Sequence, residues 1–144
     1  MYEFGATSKG RLATCHADLQ LIMNEAIKVS RVDFGIAEGY RSLGKQMQYF
    51  KEGKSKIDGV SVKGKHNVTP SLAVDIYPFV NGKALWDNEH LSYLSGIIDS
   101  VAQSLLGKGQ IRHQVRWGGN WDMDGQILID QSFDDRPHFE LISI

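Results

Sequence analysis

A chain of 144 residues with 42% hydrophobic and 23% charged side chains has the make-up of one globular domain over residues 1–144, able to bury a core and too apolar for intrinsic disorder. Its 16 Lys and Arg against 17 Asp and Glu leave a net charge of -1 and a pI near 6.5, which excludes the basic footprint of a nucleic-acid binder. The single Cys15 rules out an internal disulfide or a cysteine-built zinc site, and with no run of about 18 apolar residues and no signal-peptide pattern, no stable membrane association is expected.

In chain order, Ser8 is a candidate N-cap, and Leu12, Leu19, Ile22, Met23, Ala26 and Ile27 fall at helical spacing as far as Ser30, with a break near His16. His16 reads as a surface or capping residue and Cys15 as a small buried hydrophobe. Val32 to Ala37 is a short strand ending at Glu38-Gly39, followed by Arg41 and a helix from Leu43 to about Lys51. An arginine at a strand end beside a cleft can hold a carboxylate or polarise a carbonyl, and by spacing alone a surface ion pair accounts for it equally well. Lys51, Lys54, Lys56, Lys63 and Lys65 crowd the next loop, relieved only by Glu52 and Asp58. A solvated loop is the simpler reading; attraction of an anionic polymer is the other.

The segment Gly64 to Pro78, GKHNVTPSLAVDIYP, sets His66 in a polar loop and then enters an apolar run holding one carboxylate, Asp75. Strand alternation puts Leu72, Val74 and Ile76 on one face and Ala73, Asp75 and Tyr77 on the other. An ionised Asp on a covered strand demands a cation or several donors, and a metal would meet it. Asn81-Gly82 signals a hairpin with Lys83 to Trp86 as return strand. Asp87 or Asn88 then caps a helix carrying Leu91, Leu94, Ile98, Val101 and Leu105 and ending at Gly107, with His90 as a polar residue in its first turn.

Ile111 to Trp117 is a strand with His113 and Val115 on one face and Arg112, Gln114 and Arg116 on the other. His113 competes only weakly for a metal role, because its sequence neighbours bring no partner motif. Trp117 and Trp121 flank a glycine turn, where they either wall a cleft or close a core edge. Asp122-Met123-Asp124-Gly125 resembles part of a calcium loop, but no Glu stands at the later position, so an EF-hand is rejected. Pro137 favours an extended Arg136, and Phe139 to Ile142 reads as a terminal strand, with His138 at its mouth and Asp135 three residues back. His66, Asp75 and His138 suffice for zinc with water in the fourth position, leaving Asp135 unliganded to move protons. Glu140, on the strand face of His138, is a candidate support for an imidazole. The mixed order of elements predicts an α+β domain around a small antiparallel sheet.

Phe4-Gly5 with Ser8, Gly39-Tyr40-Arg41, Ala73-Val74-Asp75, Trp117-Gly118-Gly119-Asn120-Trp121 and His138-Phe139-Glu140-Leu141 extend the His66, Asp75 and Asp-x-x-His pattern over most of the chain. Together they resemble the zinc peptidases of the D-Ala-D-Ala carboxypeptidase and VanX-like superfamily, above all the phage L-alanyl-D-glutamate endopeptidases, the small endolysins. The resemblance implies a Hedgehog/DD-peptidase-like fold, Zn2+ on His66, Asp75 and His138, Asp135 as the catalytic acidic residue, and Arg41 in the active site. It further implies a monomeric zinc peptidase domain, without a separate wall-binding domain, that cuts the L-Ala to D-Glu bond of the peptidoglycan stem peptide. With no signal peptide, it is expected to stay in the host cytoplasm until lysis. Gly64 stands where the family pattern has Ser, and the eight residues between His66 and Asp75 make a longer loop than the common form. Asp135 in place of the carboxypeptidases' Glu points to the endopeptidase branch. A D-Ala-D-Ala carboxypeptidase and a non-catalytic cell-wall-binding module stay open as alternatives.

Overall fold

The computed structural model describes residues 1–126 and 134–144. Among them the elements run α1 (Ala6–Leu12), α2 (Ala17–Val29), β1 (Asp33–Glu38), α3 (Leu43–Lys51), β2 (Ala73–Val80), β3 (Lys83–Ala84), α4 (Asn88–Gly107), β4 (His113–Trp117) and β5 (His138–Ser143). The strands form one antiparallel sheet in the order β1-β2-β5-β4, with β3 folded back on the far end of β2. This is the α+β arrangement that the element order predicts.

Alternation along the strands sorts the sheet into two faces. Val74 and Ile76 of β2, Phe139 and Leu141 of β5 and Val115 of β4 are buried in one core with Leu19, Ile22 and Met23 of α2 and Leu91, Leu94 and Ile98 of α4. Each such side chain contributes roughly 1.5–3 kcal/mol by leaving water. The alternate residues therefore have fixed positions on the opposite face. In register there, Ala73 lies opposite Glu140, Asp75 opposite His138, and Arg116 opposite Glu140. On the other edge of β2, Glu38 lies opposite Asp75, after a register irregularity in β1.

Two local expectations change, at Ser8 and at the hairpin's return strand, while the break near His16 and its capping role are borne out. The first helix starts at Ala6, so Ser8 lies inside it and is buried rather than capping; its hydroxyl accepts from the Ile36 amide at 3.0 Å and ties α1 to β1. The long N-terminal helix is cut by backbone pairing, with Ser71 N donating to Thr14 O at 2.9 Å and His16 N donating to Ser71 O at 2.8 Å. His16 then caps α2, its Nδ1 accepting from Asp18 N at 3.0 Å. The Asn81-Gly82 turn has both residues at positive φ, 52° and 77°, as a tight hairpin requires. Its return strand stops at Ala84, because Leu85 N donates to Pro78 O while Pro78 has no N–H to give back.

Candidate metal centre

His66 sits in a single 3-10 turn, Lys65–Asn67. Asn67 holds that turn: its Oδ1 accepts from Gly64 N at 2.8 Å and its Nδ2 donates to Arg41 O at 3.1 Å. Leu72 N donates to Lys65 O at 3.0 Å and closes the loop, so its extra length does not carry His66 away from Asp75. His66 Nδ1 lies 2.7 Å from Gly39 O. A carbonyl oxygen only accepts, so Nδ1 carries the proton and Nε2 keeps a bare lone pair. His138 is set in the opposite sense: Nε2 donates to Glu140 Oε1 at 2.8 Å, so in the neutral ring Nδ1 is the bare nitrogen.

The two lone pairs meet at Asp75. His66 Nε2 is 3.1 Å and His138 Nδ1 is 3.2 Å from Asp75 Oδ1, and the two ring nitrogens are 3.2 Å apart. Three acceptors so close repel one another unless a positive charge sits among them. A tetrahedral ion with bonds of about 2.0–2.1 Å sets its ligands about 3.3 Å apart, so this triangle fits a divalent metal. The same demand appears in the titration of these groups. Burial opposes charge on Asp75, yet the two imidazoles outweigh it and hold its carboxyl far below the usual range. Burial likewise works against a charged His138, but its hydrogen bonds with Asp75 and Glu140 prevail and push it up to about 10, so a proton on Nδ1 supplies the positive charge when no metal does, and a bound metal would displace it.

Arg41, 8% exposed, reaches this centre with Nη2 at 3.5 Å from Asp75 Oδ2. Its Nε donates to Glu38 Oε1 at 2.6 Å, its Nη1 donates to Gln46 Oε1 at 2.9 Å, and the Tyr49 ring lies 4.7 Å from its Cζ. Lys45 pairs with the other Glu38 oxygen at 2.6 Å. Glu38, Gln46 and Tyr49 are site residues that sequence reasoning did not find. For Glu38 a signal existed, a carboxylate ending an apolar strand three residues before Arg41; for Gln46 and Tyr49 there was none.

Asp135 stands beside the triangle and outside it, with Oδ2 at 4.0 Å from His138 Nδ1. Its backbone is clasped, as Asp135 N donates to Gly118 O at 2.9 Å and Gly118 N donates to His138 O at 2.8 Å. A side chain at Gly118 would collide with the Asp135 carbonyl, so the glycine turn permits this approach. Burial first, and then the negative charge of Asp75, push the Asp135 carboxyl above its ordinary range. Glu140 is also held by Arg116 Nη2 at 2.7 Å, and its carboxyl falls to about 2: burial works the other way but is outweighed by His138 and Arg116.

His66, Asp75, Asp135 and His138 line a cleft of about 490 Å³, with Arg41, Tyr49, Lys54, Lys56, Lys63 and Trp121 around them. The two tryptophans divide the readings offered for them. Trp121 packs 5.4 Å from the His138 ring in the cleft wall, whereas Trp117 is 8% exposed and stacks on Phe139 at the core edge. His113, whose sequence neighbours bring no partner motif, finds a partner from far along the chain: its Nδ1 lies 2.8 Å from Asp18 Oδ2, with the His16 ring 4.9 Å away. His16, Asp18 and His113 thus form a second group of potential metal ligands.

Comparison with known proteins bears on this geometry. A family model of phage L-alanyl-D-glutamate peptidases matches residues 1–142. An L-alanyl-D-glutamate peptidase of Escherichia phage T5 is 30% identical over 143 residues, spanning 98% of either chain. Among solved structures, the Serratia marcescens L-Ala D-Glu endopeptidase ChiX superposes over 97% of this chain and 90% of its own, with a TM-score of 0.75 at 24% identity, a likeness of fold.

Proposed function

Since the chain belongs to the phage L-alanyl-D-glutamate peptidase family, we propose that it hydrolyses the L-Ala to D-Glu bond of the peptidoglycan stem peptide with zinc held by His66, Asp75 and His138. The observation that carries this reading is the convergence of two inward-facing imidazole nitrogens on one carboxylate oxygen, in a cleft where a second carboxylate stands outside the triangle, 4.0 Å from His138 Nδ1. Two imidazoles and a carboxylate are a donor set suited to zinc, with a position left open. Zinc bound there supplies Lewis acidity, polarising the scissile carbonyl and lowering the pKa of water toward about 7.

The side chains of this protein do the rest. Asp135 accepts the proton of the attacking water and passes it to the leaving amine; a carboxyl pushed above its ordinary range is better suited to both transfers than an exposed one. Arg41, immobilised by Glu38, Gln46 and Tyr49, offers its guanidinium to the charge developing on the carbonyl oxygen. Glu140 and the Gly39 carbonyl keep the two imidazoles in opposite tautomers, so that Nδ1 of one and Nε2 of the other stay bare. In this reading the protein waits in the host cytoplasm and meets the wall at lysis. Digestion of purified peptidoglycan with labelling of new amino ends tests it. New D-Glu amino ends are expected; released D-Ala would point to a carboxypeptidase, and binding with no new ends to a wall-binding module.

A further inference from the structure

Helix α3 is turned inside out. The residue it buries is a glutamine, Gln46, whose amide donates to Ser55 Oγ at 2.9 Å and Ile57 O at 2.6 Å. Its apolar residues Leu43, Met47 and Phe50 recur at intervals of four and three, along one stripe, and are 39%, 38% and 47% exposed. The loop beyond packs back on this helix at Gly59, where a side chain would meet Gln46 Cγ at 2.9 Å and Leu43 Cδ2 at 3.5 Å, and the adjoining Val60 and Val62 add apolar surface, 68% and 61% exposed. Residues 43–65 carry six lysines against Glu52 and Asp58, a net charge of +4 within a chain whose net charge is -1. Lys54, Lys56 and Lys63 of that stretch line the cleft, so the basic stretch that begins on α3 reaches the site.

From these features we infer that the solvent face of α3 and its lysine-rich loop dock the part of the peptidoglycan strand that lies outside the cleft, an inference that rests on the substrate reading above. A cleft of about 490 Å³ holds a short peptide, not a polymer. The polymer has the matching chemistry. A glutamate joined to alanine through its amine keeps two carboxyl groups, of which chain continuation uses one, so stem peptides repeat a free carboxylate for the lysines to meet. The CH faces of the sugar rings suit the exposed Met47 and Phe50 side chains.

The test compares M47S/F50S and Lys51→Glu with the wild-type protein on purified insoluble sacculi and on a short soluble peptide containing the L-Ala to D-Glu bond. None of these three residues lines the cleft. The double variant should cut sacculi about tenfold more slowly, as loss of about 1.4 kcal/mol of docking would produce, and cut the soluble peptide at the wild-type rate. K51E should show a smaller sacculus-specific loss that vanishes at high salt. Unchanged sacculus turnover, or an equal loss on both substrates, overturns the docking face. So does wild-type cosedimentation with phosphatidylglycerol vesicles and not with sacculi, which would make the partner a lipid surface. If the wild-type protein cuts neither substrate, the catalytic reading falls, while retention on sacculi by the wild type and its loss in M47S/F50S still decides the docking face.

Discussion

The trio His66, Asp75 and His138 and the trio His16, Asp18 and His113 use the same three side chains, but their lone pairs are disposed differently. In the first, the outer nitrogen of each ring donates to an acceptor behind it, Gly39 O or Glu140 Oε1, and the inner nitrogens, bare in the neutral rings, face one centre. In the second, His113 Nδ1 faces Asp18 Oδ2 at 2.8 Å and so holds the proton between them, while Arg112 N donates to the same oxygen at 2.9 Å. The His16 Nδ1 lone pair is taken by Asp18 N, and the positive end of α2 adds to the case against a cation. The first trio is largely buried and the second half-exposed. What prepares a metal site is therefore the acceptor behind each imidazole, more than the nearness of the imidazoles themselves.

The largest effects should fall on the first trio alone. His66→Ala or His138→Ala should abolish stoichiometric zinc and lower hydrolysis by more than about 100-fold, and a chelator should do the same to the wild-type protein. Metal analysis should find one tight zinc per chain. A second tight equivalent that disappears in H16A/H113A would break the contrast between the trios. Asp135→Ala should lower turnover by about 10²–10⁴-fold while leaving that one zinc bound, because it removes a proton carrier and no ligand. Zinc loss in that variant would instead move Asp135 into the coordination set. Glu140→Ala sharpens the comparison at the level of the acceptor: it should weaken zinc affinity by about 10–100-fold although no ligand is touched, since His138 loses the partner that keeps Nδ1 bare.

The contrast also marks what was legible in the sequence. Asp75 stands out because a carboxylate interrupts an apolar strand, and His66 and His138 because each borders such a strand in a polar loop; the three meet because β2 and β5 pair in register at Asp75 and His138. The Leu43 to Lys51 helix and the Asn81-Gly82 hairpin were equally plain, being set by local propensity and turn chemistry. Partnerships across the sheet were not. His113 looked unpartnered because Asp18 is 95 residues away in sequence, and Ser8 looked like a cap because its true partner, the Ile36 amide, comes with β1. Gln46 was invisible for another reason. A glutamine at the buried position of a helix contradicts the hydrophobic pattern, and it is there to orient Arg41 and the loop carrying Ser55 and Ile57.

If the second trio is a tie between α2 and β4, its loss should appear in stability and not in metal content. Burial opposes ionisation of Asp18, but hydrogen bonds from His113 and Arg112 N outweigh it and hold the carboxyl below its ordinary range. A carboxyl whose pKa is lower in the folded state stabilises the fold above its unfolded pKa, about 3.9, and this stabilisation fades as pH falls through the folded value. Asp18→Asn should therefore lower stability by about 1–2 kcal/mol at pH 6, by weakening the hydrogen bonds to His113 and Arg112 N. Urea unfolding at pH 6 and at pH 3 checks this: the gap between wild type and variant should narrow at the lower pH, with zinc content equal in the two proteins at pH 6. A gap that stays constant would assign the effect to packing, and a variant that loses zinc would make the two trios alike after all.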